Sequence, residues 1–475
     1  MATPTGFALP TKYLPAVTVK DLPDPPVKTW KIIGPGVVGA GIGLASGEFI
    51  LWPYIASQLG MAFLWGAVIG VMTQWFLNME IERYALATGE TVLTGFSRMW
   101  RHWGLVFVIM TYFANMWPGW VTSSATLFTY LFGGGNSRVI AIVMLLVIGI
   151  SLTFAPIVYK AVEGVIFLKV AAILVFVVVA ALFAITAAAW ADLPRAVTTI
   201  GQVPGAELGW SLVLGAVVFA GAGGGQNLCQ SNWIRDKGFG MGAYVPRLVS
   251  PVTGHEEAAP STGYEFDPNG SNMDRWRRWW RFANWEQMLT VPLITVITIG
   301  FMMLLSASTL FGRKDVPNDI GFLKIEAQVL GGTVGPWFGA FFLIIGGFSL
   351  FAAAIGIVDY TSRLAADQLK FFYLRNSSIS ENKLYFGLVW GLVAIGILVL
   401  VLGLSQPLVL LVISACVGGG MMFIYSILLL VLNRKTLPQP IKVKNYRIAA
   451  LFFAIALYGV LSVITVIEQG QKLFG

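Results

Sequence analysis

Ala45-Ser46-Gly47-Glu48 and Gly221-Ala222-Gly223-Gly224-Gly225 decide how this sequence reads. Each stands in the middle of an otherwise apolar segment, the first running from Gly34 to Leu59 and the second from Trp210 to Trp233. Glycine weakens a helix, so both segments are expected to unwind at their centres. A bilayer holds no water to satisfy a freed backbone, and unwound peptide is tolerated there only where it lines a cavity inside the protein. Two such interruptions at matching places in one chain are the pattern expected of a secondary-transporter site.

The surrounding sequence fits that frame. Of 475 residues, 57% are hydrophobic and 11% charged, with a mean hydropathy of +0.76. Run after run is long enough to cross a hydrocarbon core of about 30 Å. Spans are expected near 33–59, 61–82, 103–131, 138–156, 160–189, 209–234, 285–311, 336–366, 384–404, 406–433 and 446–468. The breaks divide these eleven into five, five and one. Five is odd, so the second set enters the membrane in the opposite sense. The expected fold is therefore an all-α polytopic membrane protein, a 5+5 inverted repeat plus an eleventh helix. Its parts would be a cytoplasmic tail (1–31), a first repeat (32–189), a second repeat (209–433) with a cytoplasmic loop at about 235–284, and a last span with a short external tail (445–475).

Lys and Arg alternate between the connections. The N-terminal tail and the even-numbered gaps hold 24 of the 31, the opposite side holds six, and Lys169 lies within a span. Cytoplasmic loops accumulate basic residues, so the N-terminus is expected inside and the C-terminus outside, in the plasma (inner) membrane. The net charge of +8 is then a matter of topology and calls for no nucleic acid. No signal peptide is expected, because the first thirty residues are polar and Pro-rich. Cys229 and Cys416 both fall within spans, which argues against a disulfide framework or a thiolate cluster. His102 and His255 fall in cytoplasmic gaps, so no histidine proton relay is expected within the membrane.

Several stretches resemble the Nramp divalent-metal transporters: Gly34-Pro35-Gly36 with the break about nine residues later, Gln74 with Arg83 and Ala87-Thr88-Gly89, Tyr159 with Glu163, and Asn227-Leu228. The resemblance covers most of the first half and thins after the sixth span. It implies a LeuT-type fold of eleven spans, an inside N-terminus and alternating access. The chain departs from the family at the ligand motifs. The family's Asp-Pro-Gly-Asn reads here Ala45-Ser46-Gly47-Glu48, and its Met-Pro-His reads Gly224-Gly225-Gln226.

That departure has chemical weight, because a thioether beside carboxylate is what selects Mn²⁺ or Fe²⁺ over Ca²⁺ and Mg²⁺. What remains is Glu48 with the amide and hydroxyl groups of Ser46, Gln226, Asn227, Gln230 and Ser231. Residues 226, 227, 230 and 231 share a helical face and are expected to line the cavity together, with Ala45, Gly47, Gly223, Gly224 and Gly225 supplying backbone. A hard cation such as Mg²⁺, held by Glu48, Gln226 and Asn227, is the first substrate to consider. A small organic solute is the alternative, since three consecutive glycines widen a cavity and bare its amides. A sensor or scaffold that binds without transporting is a third reading.

Glu48 and Lys169 are the expected coupling residues. A mid-membrane carboxylate costs at least about 2.5 to 3.5 kcal/mol on insertion scales, so a cavity, partner or proton must relieve it, although Glu48 also suits a helix cap. Lys169 can pair with Glu48, lose its proton, or reach an inner vestibule; fixed cations at that depth replace a sodium ion in some LeuT-fold relatives, and the resemblance allows that role here.

Gln74, Asn78 and Glu82 form a stripe expected to face an inner vestibule, and Asp359 with Arg363 an interfacial i, i+4 pair. Asp274 to Arg281 reads as a surface helix with Arg275, Arg277, Arg278 and Arg281 on anionic lipid. Asp267-Pro268-Asn269-Gly270 reads as a turn. No nucleophile, base and orienting group recur at catalytic spacing, so no enzyme and no cofactor are expected. Oligomeric state is left open.

Overall fold

The computed structural model describes residues 6–25, 41–154, 158–245 and 262–474. Gly34-Pro35-Gly36, His255 and the side chain of Tyr159 lie outside the described residues. Helices dominate because a helix satisfies its own backbone in hydrocarbon. Among the described residues, eight helices are long and apolar enough to cross a membrane: Trp103–Leu131, Ser137–Phe154, Glu163–Phe183, Gly270–Thr309, Pro336–Phe372, Glu381–Val401, Pro407–Lys435 and Tyr446–Lys472. They correspond to the third, fourth, fifth and seventh to eleventh expected spans. The second is the continuous helix Leu64–Thr88, which carries Glu80, Glu82 and Arg83 in its last third and stops at Gly89, whose φ is 68°.

The first and sixth spans are the broken ones. In span 1 the helix gives way to a turn at 44–45, resumes through a wide π-turn at Gly47–Leu51 and continues as Trp52–Leu59. In span 6, Trp210–Val218 and Gly224–Lys237 are separated by 219–223, where Gly223 has a φ of 65°. The sequence predicts span 3 as one uninterrupted helix. The structure divides it into Trp103–Asn115 and Gly119–Leu131, because Pro118 has no N–H to continue the ladder.

Two further differences concern the membrane faces. Span 7 was expected to start at 285, after a separate surface helix. Instead one helix begins at Gly270, capped by Asn269 accepting from the Asn272 N–H at 3.0 Å, and runs through to Thr309 with a π-turn at Leu289–Leu293 around Pro292. The turn expected at 267–270 is thus a helix cap. The N-terminal tail lies against this extension: Thr18–Val19 pairs in parallel with Tyr264–Glu265, Trp279 Nε1 donates to Pro23 O at 2.8 Å, and Arg278 meets Asp24 at 2.5 Å. Arg275 also faces Asp21 and Asp24, so two of the four arginines expected on lipid are engaged by the tail. On the opposite face a helix absent from the sequence reading, Phe322–Thr333, connects spans 7 and 8.

Candidate functional site

The two breaks cross in contact, and glycine makes the approach possible. A Cβ on Gly47 would overlap the Phe219 carbonyl oxygen, and one on Gly43 would stand 2.7 Å from the Gly221 carbonyl oxygen. Backbone freed by the breaks is claimed by neighbouring helices. Gln74 on span 2 donates from Nε2 to Val218 O at 2.8 Å and to Val217 O at 3.3 Å, while its Oε1 accepts from the Gly223 N–H at 2.8 Å. Ser349 on span 8 donates to Leu44 O at 2.7 Å. Trp120 on span 3 donates from Nε1 to Ser46 Oγ at 3.1 Å. Gln74 therefore holds the sixth-span break open. It does not face a vestibule as the stripe predicted, and Asn78 and Glu82 are buried as well.

Between the breaks lies a tight cavity of about 20 Å³, lined by Ser46, backbone from Gly221 to Gly225, and Gln226. Opposite them stand Asn115, Trp120, Tyr360 and Met421, none of which the sequence reading named. Asn115 donates from Nδ2 to Tyr360 Oη and Thr361 Oγ1, both at 2.9 Å, and the Thr111 hydroxyl is 3.6 Å from the Met421 sulfur. Asn115 had a sequence signal: an amide one turn before a proline in an apolar span. Met421 had none, since it sits in Gly-Gly-Gly-Met-Met, a packing stretch by composition.

The other expected residues are placed elsewhere. Glu48 is fully buried and does not border the cavity: its Oε2 accepts from the Ala45 N–H at 3.0 Å and caps the break. Its Oε1 has no hydrogen-bond partner among the described residues. Lys169 is also fully buried, so it does not reach an inner vestibule, and its Nζ has no hydrogen-bond partner among the described residues. No direct ion pair within 4.0 Å joins Glu48 and Lys169 among the described residues.

The shared face of 226, 227, 230 and 231 does not line one cavity. Successive helical residues descend by about 1.5 Å, so Ser231 lies roughly a turn and a half below Gln226. Asn227 Nδ2 donates to Tyr425 Oη at 2.9 Å, Gln230 is buried with Nε2 unpartnered among the described residues, and Ser231 Oγ accepts from the Val92 N–H at 3.1 Å. Ala45 and Gly47 do not border the cavity. Glu48, Gln226 and Asn227 thus have separate tasks, and among the described residues no three His, Cys, Asp or Glu side chains are grouped to hold a metal ion.

Below the site, span 6 is tied to span 8 by buried charges. Arg363 pairs with Asp236 and, at 2.9 Å, with Asp359, which also accepts from Tyr385 Oη at 2.7 Å; Arg235 pairs with Asp367 at 2.8 Å. The Asp359–Arg363 pair is therefore the centre of an interior network and not an interfacial bridge.

No protein-family model matches the chain, and neither does any curated protein. Among solved structures, a mutant of the Eremococcus coleocola manganese transporter superposes with a TM-score of 0.69 at 12% identity, covering 97% of this chain and 91% of that one. The same transporter in complex with an aromatic bis-isothiourea substituted compound gives 0.69 at 13%, covering 98% and 92%. MhsT in complex with L-phenylalanine gives 0.52 at 12%, covering 91% and 97%. Likeness at these identities establishes the fold, and it is the expected one: all-α, polytopic and LeuT-type.

Proposed function

We propose that this chain is a secondary transporter working by alternating access, with its substrate held between the broken spans 1 and 6. The observation that carries the reading is the contact of two matched breaks around a cavity, their loose backbone held by side chains from spans 2 and 8 and the Ser46 hydroxyl by Trp120 of span 3. The substrate that fits best is a small organic solute. The lining is neutral, mixing aromatic and amide side chains with bare backbone at the N-terminus of Gly224–Lys237, where a helix favours a carboxylate or another electron-rich group. A hard divalent cation ordinarily recruits carboxylates, and Glu48 is turned away to cap its own helix.

A second reading, Mg²⁺-like cation transport, keeps specific support. Glu48 Oε1 and Asn227 Oδ1 are buried acceptors with no donor among the described residues, and such oxygens suit a cation. The comparisons fit either substrate class, one neighbour being named a manganese transporter and another carrying L-phenylalanine. Uptake into proteoliposomes, assayed with labelled amino and organic acids and in parallel with Mg²⁺ and Mn²⁺, tests the proposal. Saturable uptake of an organic solute is expected. Binding without flux would make the chain a sensor or scaffold, and Mg²⁺ flux alone would install the cation reading.

A further inference from the structure

Helix Phe322–Thr333 faces away from the side that holds the N-terminal tail and buries Phe322, Leu323, Ala327 and Leu330 against the bundle. In the middle of that apolar stripe stands a carboxyl group, Glu326. It is fully buried, and neither carboxyl oxygen has a hydrogen-bond partner among the described residues.

Among the described residues, the helices packed against Phe322–Thr333 offer Glu326 no counter-charge. Ile294–Thr309 and the outer half of span 8, from Pro336 to Val358, contain no charged or titratable side chain. Gly119–Leu131 offers only Tyr130, which lies 5.7 Å from Lys324 Nζ. Tyr54 in span 1 packs its ring on Phe322 and donates its hydroxyl to Asn318 Oδ1 at 3.2 Å. Asp319 accepts from the Gly321 N–H at 2.7 Å. Thr309 comes near, but its hydroxyl donates to Leu305 O at 2.9 Å. A buried carboxylate without donor or cation is unfavourable, and the group takes a proton instead. Burial pushes Glu326 up to about 8, with Thr309 drawing it part of the way back.

We propose that Glu326 is a proton-binding site that latches helix Phe322–Thr333 onto the bundle, docking it when protonated and releasing it when ionised. Tyr54 connects the helix to the outer half of span 1, so proton activity on this face is transmitted to the helix whose break walls the cavity. The docked state holds the proton that the released state loses at ordinary carboxylate pH. Docking is therefore favoured below the raised value and weakens as pH climbs through it, by about tenfold between pH 7 and pH 9.

Hydrogen–deuterium exchange on the full chain in nanodiscs tests this without any assay of transport, so it stands apart from the substrate question. After correction for the intrinsic pH dependence of exchange, peptides from 322–333 should lose about tenfold protection between pH 7 and pH 9. Peptides from spans 9 and 10 should not change. Glu326→Gln should stay protected at pH 9. Should that variant fail to fold, Glu326→Leu, which matches the apolar stripe, carries the same expectation. Equal protection of the unmodified chain at both pH values would overturn the proposal, and so would a tenfold loss persisting in either variant.

Discussion

Single side chains decide the chemistry at the crossing. Glu48 and Lys169 give the sharpest test of substrate class, because the expected signs differ. For an organic anion or zwitterion, Lys169→Ala weakens binding and Glu48→Gln chiefly changes the pH dependence of uptake. For a cation, Glu48→Gln lowers affinity by about 1.5 to 3 kcal/mol while Lys169→Ala raises it or leaves it alone, since a nearby positive charge can only repel. Equilibrium binding of both variants across pH 6 to 8 separates the cases, and unchanged binding in both leaves Glu48 a cap only. Gln74→Ala should lower stability by about 1 to 3 kcal/mol, as it strands two carbonyls and one N–H in a buried break. A thermal unfolding curve equal to the parent's would show that water or a neighbour replaces it. The glycine and Glu48 signals were legible in the sequence because backbone freedom and intramembrane charge are local properties. The role of Gln74 was not, since its partners lie some 145 positions away and nothing near residue 74 announces them.

At the scale of elements, the breaks in spans 1 and 6 were readable and the break in span 3 was not, although Pro118 carried its signal. The missed residues of the cavity share a cause: Trp120, Tyr360 and Met421 read as ordinary apolar lining until the fold turns them inward. Helix Phe322–Thr333 escaped because it is too short and too mixed to register as a span. The buried charges between spans 6 and 8 make an element-level prediction. Arg363→Leu removes the cation shared by Asp236 and Asp359, leaving Asp236 only Arg235 at 3.7 Å, and the loss should be about 3 to 5 kcal/mol. Denaturation in detergent measures it, and a cost below 1 kcal/mol would mean that the network holds without Arg363.

For the whole molecule, the charge asymmetry predicts which face is which. Single cysteines at Ser271 and Asn318, in a background lacking Cys229 and Cys416, should react with impermeant reagent from the inside and the outside respectively. Both positions are exposed, so access is not at issue. The reverse labelling would overturn the inside assignment of the N-terminus. The LeuT-type plan was legible because odd-numbered spacing between breaks follows from counting spans, whereas the substrate was not, because lining a cavity is a property of assembled helices.

The N-terminal tail is held by partners that are made at very different times. Phe7 packs edge-on against Phe266, the Ala8 N–H donates to Thr436 O, and Arg98 reaches the carbonyls of Pro10 and Pro15 at 3.0 and 3.1 Å. A ribosome translating this chain releases Phe7 several hundred residues before Thr436 exists, so the Ala8–Thr436 contact closes only after ten helices are made, while those with Arg98 and Phe266 can form sooner. Full docking of the tail is then a natural end-point of assembly, and a bulky fusion placed ahead of Met1 should slow maturation where the same fusion after Gly475 does not. Pulse-chase acquisition of protease resistance would record that difference directly.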